Sequence, residues 1–190
     1  MGLRVVVVGV PGVGKSTVVD KVISKYAGAR LLNFGTVMFE EAVSRKWVKD
    51  RDQMRKMPVE KQKQLQKAAA VTISKSKAKL AVVDTHLFIR THEGFWPGLP
   101  FDVVRALKPT HLVLVEAAPE EVLARRSADR TRVRDKITIE GMREELQLAR
   151  GFITVSSTLT GAPMLMVNNG DGESDQAAAA VLSMLKEASG

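Results

Sequence analysis

The chain contains no cysteine, which excludes disulfides, thiol nucleophiles and cysteine-bound zinc. That composition suits a reducing compartment, and the expected location is the cytoplasm. Histidine is scarce as well: His86, His92 and His111 are the three present, and they show no metal-ligand spacing. With one Tyr, two Trp and six Phe, a platform for stacking single-stranded bases is poorly supplied. Apolar runs are short and interrupted, so none reaches the roughly 20 residues of a membrane-spanning helix. Residues 5–10 are too few for the apolar core of a secretion signal and lead directly into Pro11. Met1-Gly2 does not read as a myristoylation signal, because Val6 stands where Ser or Thr is needed.

What is present fits one globular domain with a substantial core: 190 residues, 45% hydrophobic and 26% charged. The formal net charge of +8 is the one bulk departure. A basic surface serves nucleic acid, but it equally serves a small protein that handles several phosphates and carries a lysine-rich solvated helix.

The most specific signal is at the start. Val5-Val6-Val7-Val8 reads as a buried strand and feeds Gly9-Val10-Pro11-Gly12-Val13-Gly14-Lys15-Ser16-Thr17. Gly9, four residues, then Gly14-Lys15-Ser16 is the complete P-loop spacing, and a helical pattern follows it from Lys15 to Tyr26. Glycines let the backbone close around a polyphosphate with successive N–H groups pointing inward. The helix N-terminus adds its positive end at the same place. Lys15 is then placed to reach the β- and γ-phosphates, and the Ser16 hydroxyl to hold Mg2+. These residues predict a nucleoside triphosphate site.

Five strand-like runs, at residues 3–9, 29–34, 79–85, 111–116 and 164–168, alternate with helical patterns. The alternation predicts an α/β fold with a parallel sheet covered on both faces. Residues 35–77 are longer than a simple crossover needs, with helical segments near 36–47 and from Pro58 onward. This stretch reads as an insertion able to form its own small lobe. Further helices are expected over residues 119–129, 138–158 and 173–188.

A P-loop identifies a donor site and leaves the acceptor open. Three basic clusters are candidates: residues 49–56, residues 84–90 off the end of the third strand, and residues 130–134. Ligands of open parallel sheets sit beyond the carboxyl ends of the strands, where the second cluster and the P-loop both lie. Asp84 ends the apolar run Leu80-Ala81-Val82-Val83, the setting of an acid near nucleotide-bound Mg2+ or of a cap on the next turn.

At this point the chain resembles the archaeal-type adenylate kinases of the nucleoside monophosphate kinase group, nearly end to end. The likeness is carried by residues 9–17, by Lys49-Asp50-Arg51-Asp52-Gln53-Met54-Arg55-Lys56, by Asp84-Thr85-His86 with Ile89-Arg90-Thr91, by Pro97-Gly98-Leu99-Pro100, and by Thr131-Arg132 with Arg134. It implies a five-stranded parallel core, a monophosphate-binding insertion at 35–77, a lid at 129–137 and a homotrimer. It further implies reversible, Mg2+-dependent transfer from ATP to AMP. The ATP would be held by Gly9, Val10, Pro11, Gly12, Val13, Gly14, Lys15, Ser16, Thr17 and Arg125. Lys15, Arg90, Arg132 and Arg134 would carry the catalytic charge, Arg55 and Arg90 would clamp the AMP phosphate, and Asp84 would reach the metal through water. Planar guanidinium groups suit that bidentate work better than lysine. Arg125 has a plainer reading as an i, i+4 ion pair with Asp129. Arg51 and Arg55, four apart, compete for one role. Trp96 either lines the monophosphate pocket or joins the core. His86 reads as structural, since a phosphate acceptor is already ionised and needs no base.

Rival readings remain. A GTPase is disfavoured because Asn168-Asn169-Gly170-Asp171 lacks the guanine-reading lysine and Asp84 is followed by Leu87 rather than by the switch glycine. A kinase for CMP, UMP or dTMP fits the same scaffold. So does an ATPase of this family acting with RNA or a ribonucleoprotein, given the charge.

Overall fold

The computed structural model describes residues 2–91, 93–129 and 137–188. Its main sheet has five parallel strands: β1 (Leu3–Val8), β2 (Ala29–Asn33), β3 (Leu80–Asp84), β6 (His111–Glu116) and β7 (Met164–Asn168), in the order β2-β3-β1-β6-β7. The β-branched runs predicted from sequence fall on these strands to within a residue at most ends. Between β3 and β6 lies a feature not expected from the sequence, an antiparallel hairpin of β4 (Phe88–Thr91) and β5 (Gly94–Pro97).

The central strand β1 is buried on both faces, which is why it reads as an uninterrupted valine run. Val5 and Val7, with Val82, meet Val18, Val19 and Val22 of α1 (Lys15–Lys25) and Val181 and Leu185 of α8 (Ser174–Glu187). On the other side α4 (Val59–Ser74), α5 (Phe101–Leu107) and α7 (Ile139–Thr160) pack in succession. Leu112 and Leu114 in β6 are at most 1% exposed, and truncating either to Ala is expected to cost about 2–5 kcal/mol. Arg4 is the structural arginine of this layer. Its guanidinium donates to the carbonyls of Ser74, Leu107 and Lys108, and burial lowers its pKa from the ordinary arginine value.

After β2 the chain runs through α2 (Phe34–Ser44), α3 (Arg51–Arg55) and α4. Ala42, Val48, Met57 and Leu65 form a small core separate from the main one, with Phe39, Trp47 and Met54 packed on it. α2 starts at Asn33, whose Oδ1 accepts from the Thr36 N–H, and α3 starts at Asp50, whose Oδ1 accepts from the Gln53 N–H. Pro58 is the N-cap of α4, one position before the first-turn place expected for it.

Sheet order places β1 between strands reached by connections that leave in opposite directions, β3 on one side and β6 on the other. The carboxyl end of β1 is therefore the topological switch point, where the crevice of an open α/β sheet lies.

Candidate active site

The loop from Gly9 to Gly14 occupies that crevice. Gly12 and Gly14 have φ of 99° and 78°, in the region where side chains are strained. Gly14 is also closely approached: a Cβ there would clash with Asn169 Nδ2, which donates to the Val13 carbonyl at 2.7 Å. Gly14 caps α1 without a side-chain bond, and the first turn of α1 carries no acid. Its leading N–H groups and dipole thus face the loop interior, an arrangement that favours an anion.

Lys15 forms an ion pair with Asp84 Oδ1, and both side chains are largely buried. The strand register explains it: Val7 of β1 pairs with Asp84 of β3, and Asn33 of β2 pairs with Asp84 on the far side. Asn33 Nδ2 donates to Asp84 Oδ2 at 2.8 Å, while its Oδ1 accepts from both Thr36 N–H and Thr36 Oγ1. Arg51 then donates to Thr36 Oγ1 at 2.9 Å. A continuous polar chain therefore runs from Lys15 through Asp84, Asn33 and Thr36 to Arg51.

That chain borders a cavity of about 880 Å3 lined by Arg51, Arg55, Asp84, Thr85, His86 and Ile89, with residues 33–36, Met38, Gln66 and Gly98 completing the wall. The cavity brings together Asp84 and both candidate arginines of α3. Arg51 lies over the Phe39 ring at 5.2 Å in addition to its bond to Thr36. Arg55 pairs only with Asp52 at 3.0 Å, among the contacts described for it, and both side chains are more than 70% exposed. Such a pair is weak, so Arg55 is the more available of the two.

Arg90 lies on β4, next to the cavity-lining Ile89, with its guanidinium over the Phe95 ring at 5.4 Å and 3.7 Å from Glu145. Arg125 extends from α6 (Pro119–Ala128) to the loop after β7. It donates to Asp171 Oδ1 from Nε and Nη2, and to the Asn169 carbonyl from Nη1. Arg125 thus grips Asp171 across the fold, with Glu121, four residues earlier on its own helix, 3.9 Å away. Trp96 sits in a different groove with Glu60, Lys63, Lys67 and Phe101. Ser16 and Thr17 are exposed at the start of α1. Arg132 and Arg134, and most of the lid expected at 129–137, lie outside the described residues.

Four contributors were not picked out from sequence. Asn33 and Asn169 look like turn residues in isolation. Arg126 stands beside Arg125 but turns the other way, donating to the Pro11 carbonyl at 2.6 Å and to Glu145 at 3.0 Å. Glu145 did carry a signal: an acid on the apolar stripe of α7 between Met142 and Ala149.

A family model described as an AAA domain matches residues 8–143. An adenylate kinase from Thermoplasma acidophilum is 40% identical over 183 residues, which span 96% of this chain and 98% of that one. One from Methanocaldococcus jannaschii is 43% identical over 187 residues, 96% and 97% of the two chains. The chain belongs to the archaeal adenylate kinases. Fold likeness extends beyond that family: shikimate kinase from Bacteroides thetaiotaomicron matches with a TM-score of 0.63 at 11% identity, over 97% of this chain and 98% of that one. The P-loop and the arginine-lined cavity adjoin one another, with Asp84 as their common wall.

Proposed function

We propose that this adenylate kinase transfers the terminal phosphoryl group of ATP to AMP, reversibly, giving two ADP. The observation that carries the reading is the adjacency of the two sites: Asp84 lines the arginine cavity and is ion-paired to the P-loop lysine. Two polyanions brought this close repel each other, so the catalytic task is positioning and charge neutralisation. Lys15 leaves Asp84 to follow charge on the β- and γ-phosphates. Residues 9–17 enclose the triphosphate, and Arg125 braces the loop at 169–171 beside it. Arg55 and Arg90 clamp the AMP phosphate. Residues 35–77 act as the monophosphate lobe, and Arg132 and Arg134 descend with a lid at 129–137 that excludes water during transfer.

The Ser16 hydroxyl and the Asp84 carboxylate are hard oxygen donors suited to Mg2+, Asp84 acting through water. Among the described residues, Lys15 is the one cation paired with Asp84 Oδ1, an oxygen that is released when that lysine turns to phosphate. Mg2+ held there would supply positive charge that neutralises the charge developing on the transferring phosphoryl group.

The expected assembly is a homotrimer. Leu148, Val155 and Leu159 project from α7 to solvent, with an adjoining groove of about 660 Å3 that includes Gly151 and Phe152. This exposed apolar face supports the reading that copies of the chain meet there.

The reaction is tested by supplying ADP and Mg2+ alone. Formation of ATP and AMP in equal amounts supports the assignment. ATP hydrolysis in the absence of AMP, at a rate comparable to transfer in its presence, overturns it.

A further inference from the structure

Glu145 is a buried carboxylate that phosphate binding does not by itself explain. It is 5% exposed and lies on the core stripe of α7 beside Met142, Leu146 and Ala149. An unpaired charge at that depth is strongly unfavourable. Two arginines neutralise it, one from each side of the site. Oε2 accepts from Arg126 Nη2 at 3.0 Å, and Oε1 stands 3.7 Å from Arg90 Nη1.

The two arginines lead to different substrates. Arg126 reaches the donor loop: its Nε donates to the Pro11 carbonyl, and its Cγ packs so closely that a Cβ on Gly12 would lie 3.0 Å away. Arg90 belongs to the acceptor side. Its hairpin is docked on the same helix, with Phe88 against Phe152 at 5.6 Å between ring centres and Phe95 edge-on to Phe88 at 5.0 Å. Glu145 and Phe152 are seven residues apart and so share one face of α7. The helix thus holds the hairpin by an aromatic contact at one point and a charge at another.

We propose that Glu145 is a positioning residue that aims the Arg90 guanidinium for the acceptor phosphate and links it, through Arg126 and the Pro11 carbonyl, to the donor loop. The inference rests on the reading of Arg90 as an acceptor clamp. A guanidinium has five N–H donors, and the closest approach of the carboxylate to Arg90, Oε1 to Nη1 at 3.7 Å, is longer than a hydrogen bond, so donors of the fork remain for a phosphate. A flexible side chain aimed before substrate arrives loses less freedom on binding. Phe95 and Glu145 supply that aim from below and from the side.

The test is steady-state kinetics with both substrates varied, on Glu145→Gln, Arg90→Ala and the double variant, with thermal melting alongside. Glu145→Gln keeps the shape and an acceptor for Arg126 but removes the charge. It is expected to raise the KM for AMP by about tenfold, the scale of coupling between contacting residues, and to change kcat far less. In the double variant the AMP effect is expected to be no larger than in Arg90→Ala alone. Glu145→Asp, which restores the charge at shorter reach, is expected to recover part of the loss. Should Glu145→Gln fail to fold, Arg126→Met reads the same link from the donor side and is expected to raise the KM for both ATP and AMP. A lowered melting temperature with KM for AMP unchanged, or strictly additive effects of the two single variants, overturns the proposal. An unchanged KM for AMP in Arg90→Ala overturns the clamp reading and the proposal together.

Discussion

Lys15 and Asp84 form a largely buried ion pair that ties the end of the phosphate loop to the neighbouring strand. Asp84 Oδ2 is also held by Asn33 at 2.8 Å, a contact that keeps the carboxylate in place in the proposed transfer of Lys15 to phosphate. Lys15→Ala is expected to cut turnover by at least about 10²–10³-fold, the usual loss for one preorganised charge donor. Circular dichroism should remain that of the native fold. Asp84→Asn should displace the Mg2+ activation curve to higher concentration, and an unchanged curve would remove Asp84 from the metal's surroundings.

On α3 the two arginines separate by their engagements. Arg55→Ala is expected to raise the KM for AMP roughly tenfold and spare ATP, as loss of a charge-assisted phosphate contact does. Arg51→Ala should instead disturb the start of α2 through Thr36, with a fall in melting temperature. An AMP effect confined to Arg51 would reverse the assignment.

Gly14 combines a positive φ with close approach of Asn169. Gly14→Ala is expected to destabilise the fold by at least about 1–2 kcal/mol from backbone strain alone, with ATP binding lost as well. Denaturant unfolding measures the first effect and nucleotide titration the second.

His111 begins the buried strand β6, and burial lowers its pKa from the ordinary 6.5. Below that value the unfolded chain binds a proton that the folded chain resists. The contribution of His111 to stability is therefore intact above about pH 6.5 and is progressively lost as pH falls toward the folded pKa. A His111→Asn variant should show a flatter dependence of unfolding free energy on pH just below 6.5. An unchanged slope would count against burial as the cause.

The exposed apolar face of α7 at Leu148, Val155 and Leu159 is tested by size. Light scattering on the native protein is expected to give three times the chain mass, and Val155→Asp, which places a charge at a 56% exposed valine, a smaller species. A native monomer contradicts the trimer.

Much of the fold was legible because its signals are local. Val5–Val8, Leu80–Val83 and the run at His111–Val115 are fully buried parallel strands, and such strands announce themselves as unbroken apolar runs. The P-loop was readable because its chemistry lies in consecutive residues. The β4–β5 hairpin was not, since its strands are four residues each, partly exposed, and contain Arg90 and Pro97 among the aromatics. The site's long-range polar partners were also hidden: Asn33 with Asp84, Arg126 with Pro11 and Arg125 with Asp171 are joined only by topology. Glu145 is the exception, because a charge on the apolar stripe of a helix asks for a buried partner.

The most direct measurement is product formation from Mg-ATP with AMP, CMP, UMP and dTMP supplied in parallel and separated by chromatography. Rapid ADP formation that depends on AMP, and far exceeds that with the other monophosphates, is the result expected of this site. ATP hydrolysis indifferent to every monophosphate would contradict it and favour an ATPase that acts with nucleic acid.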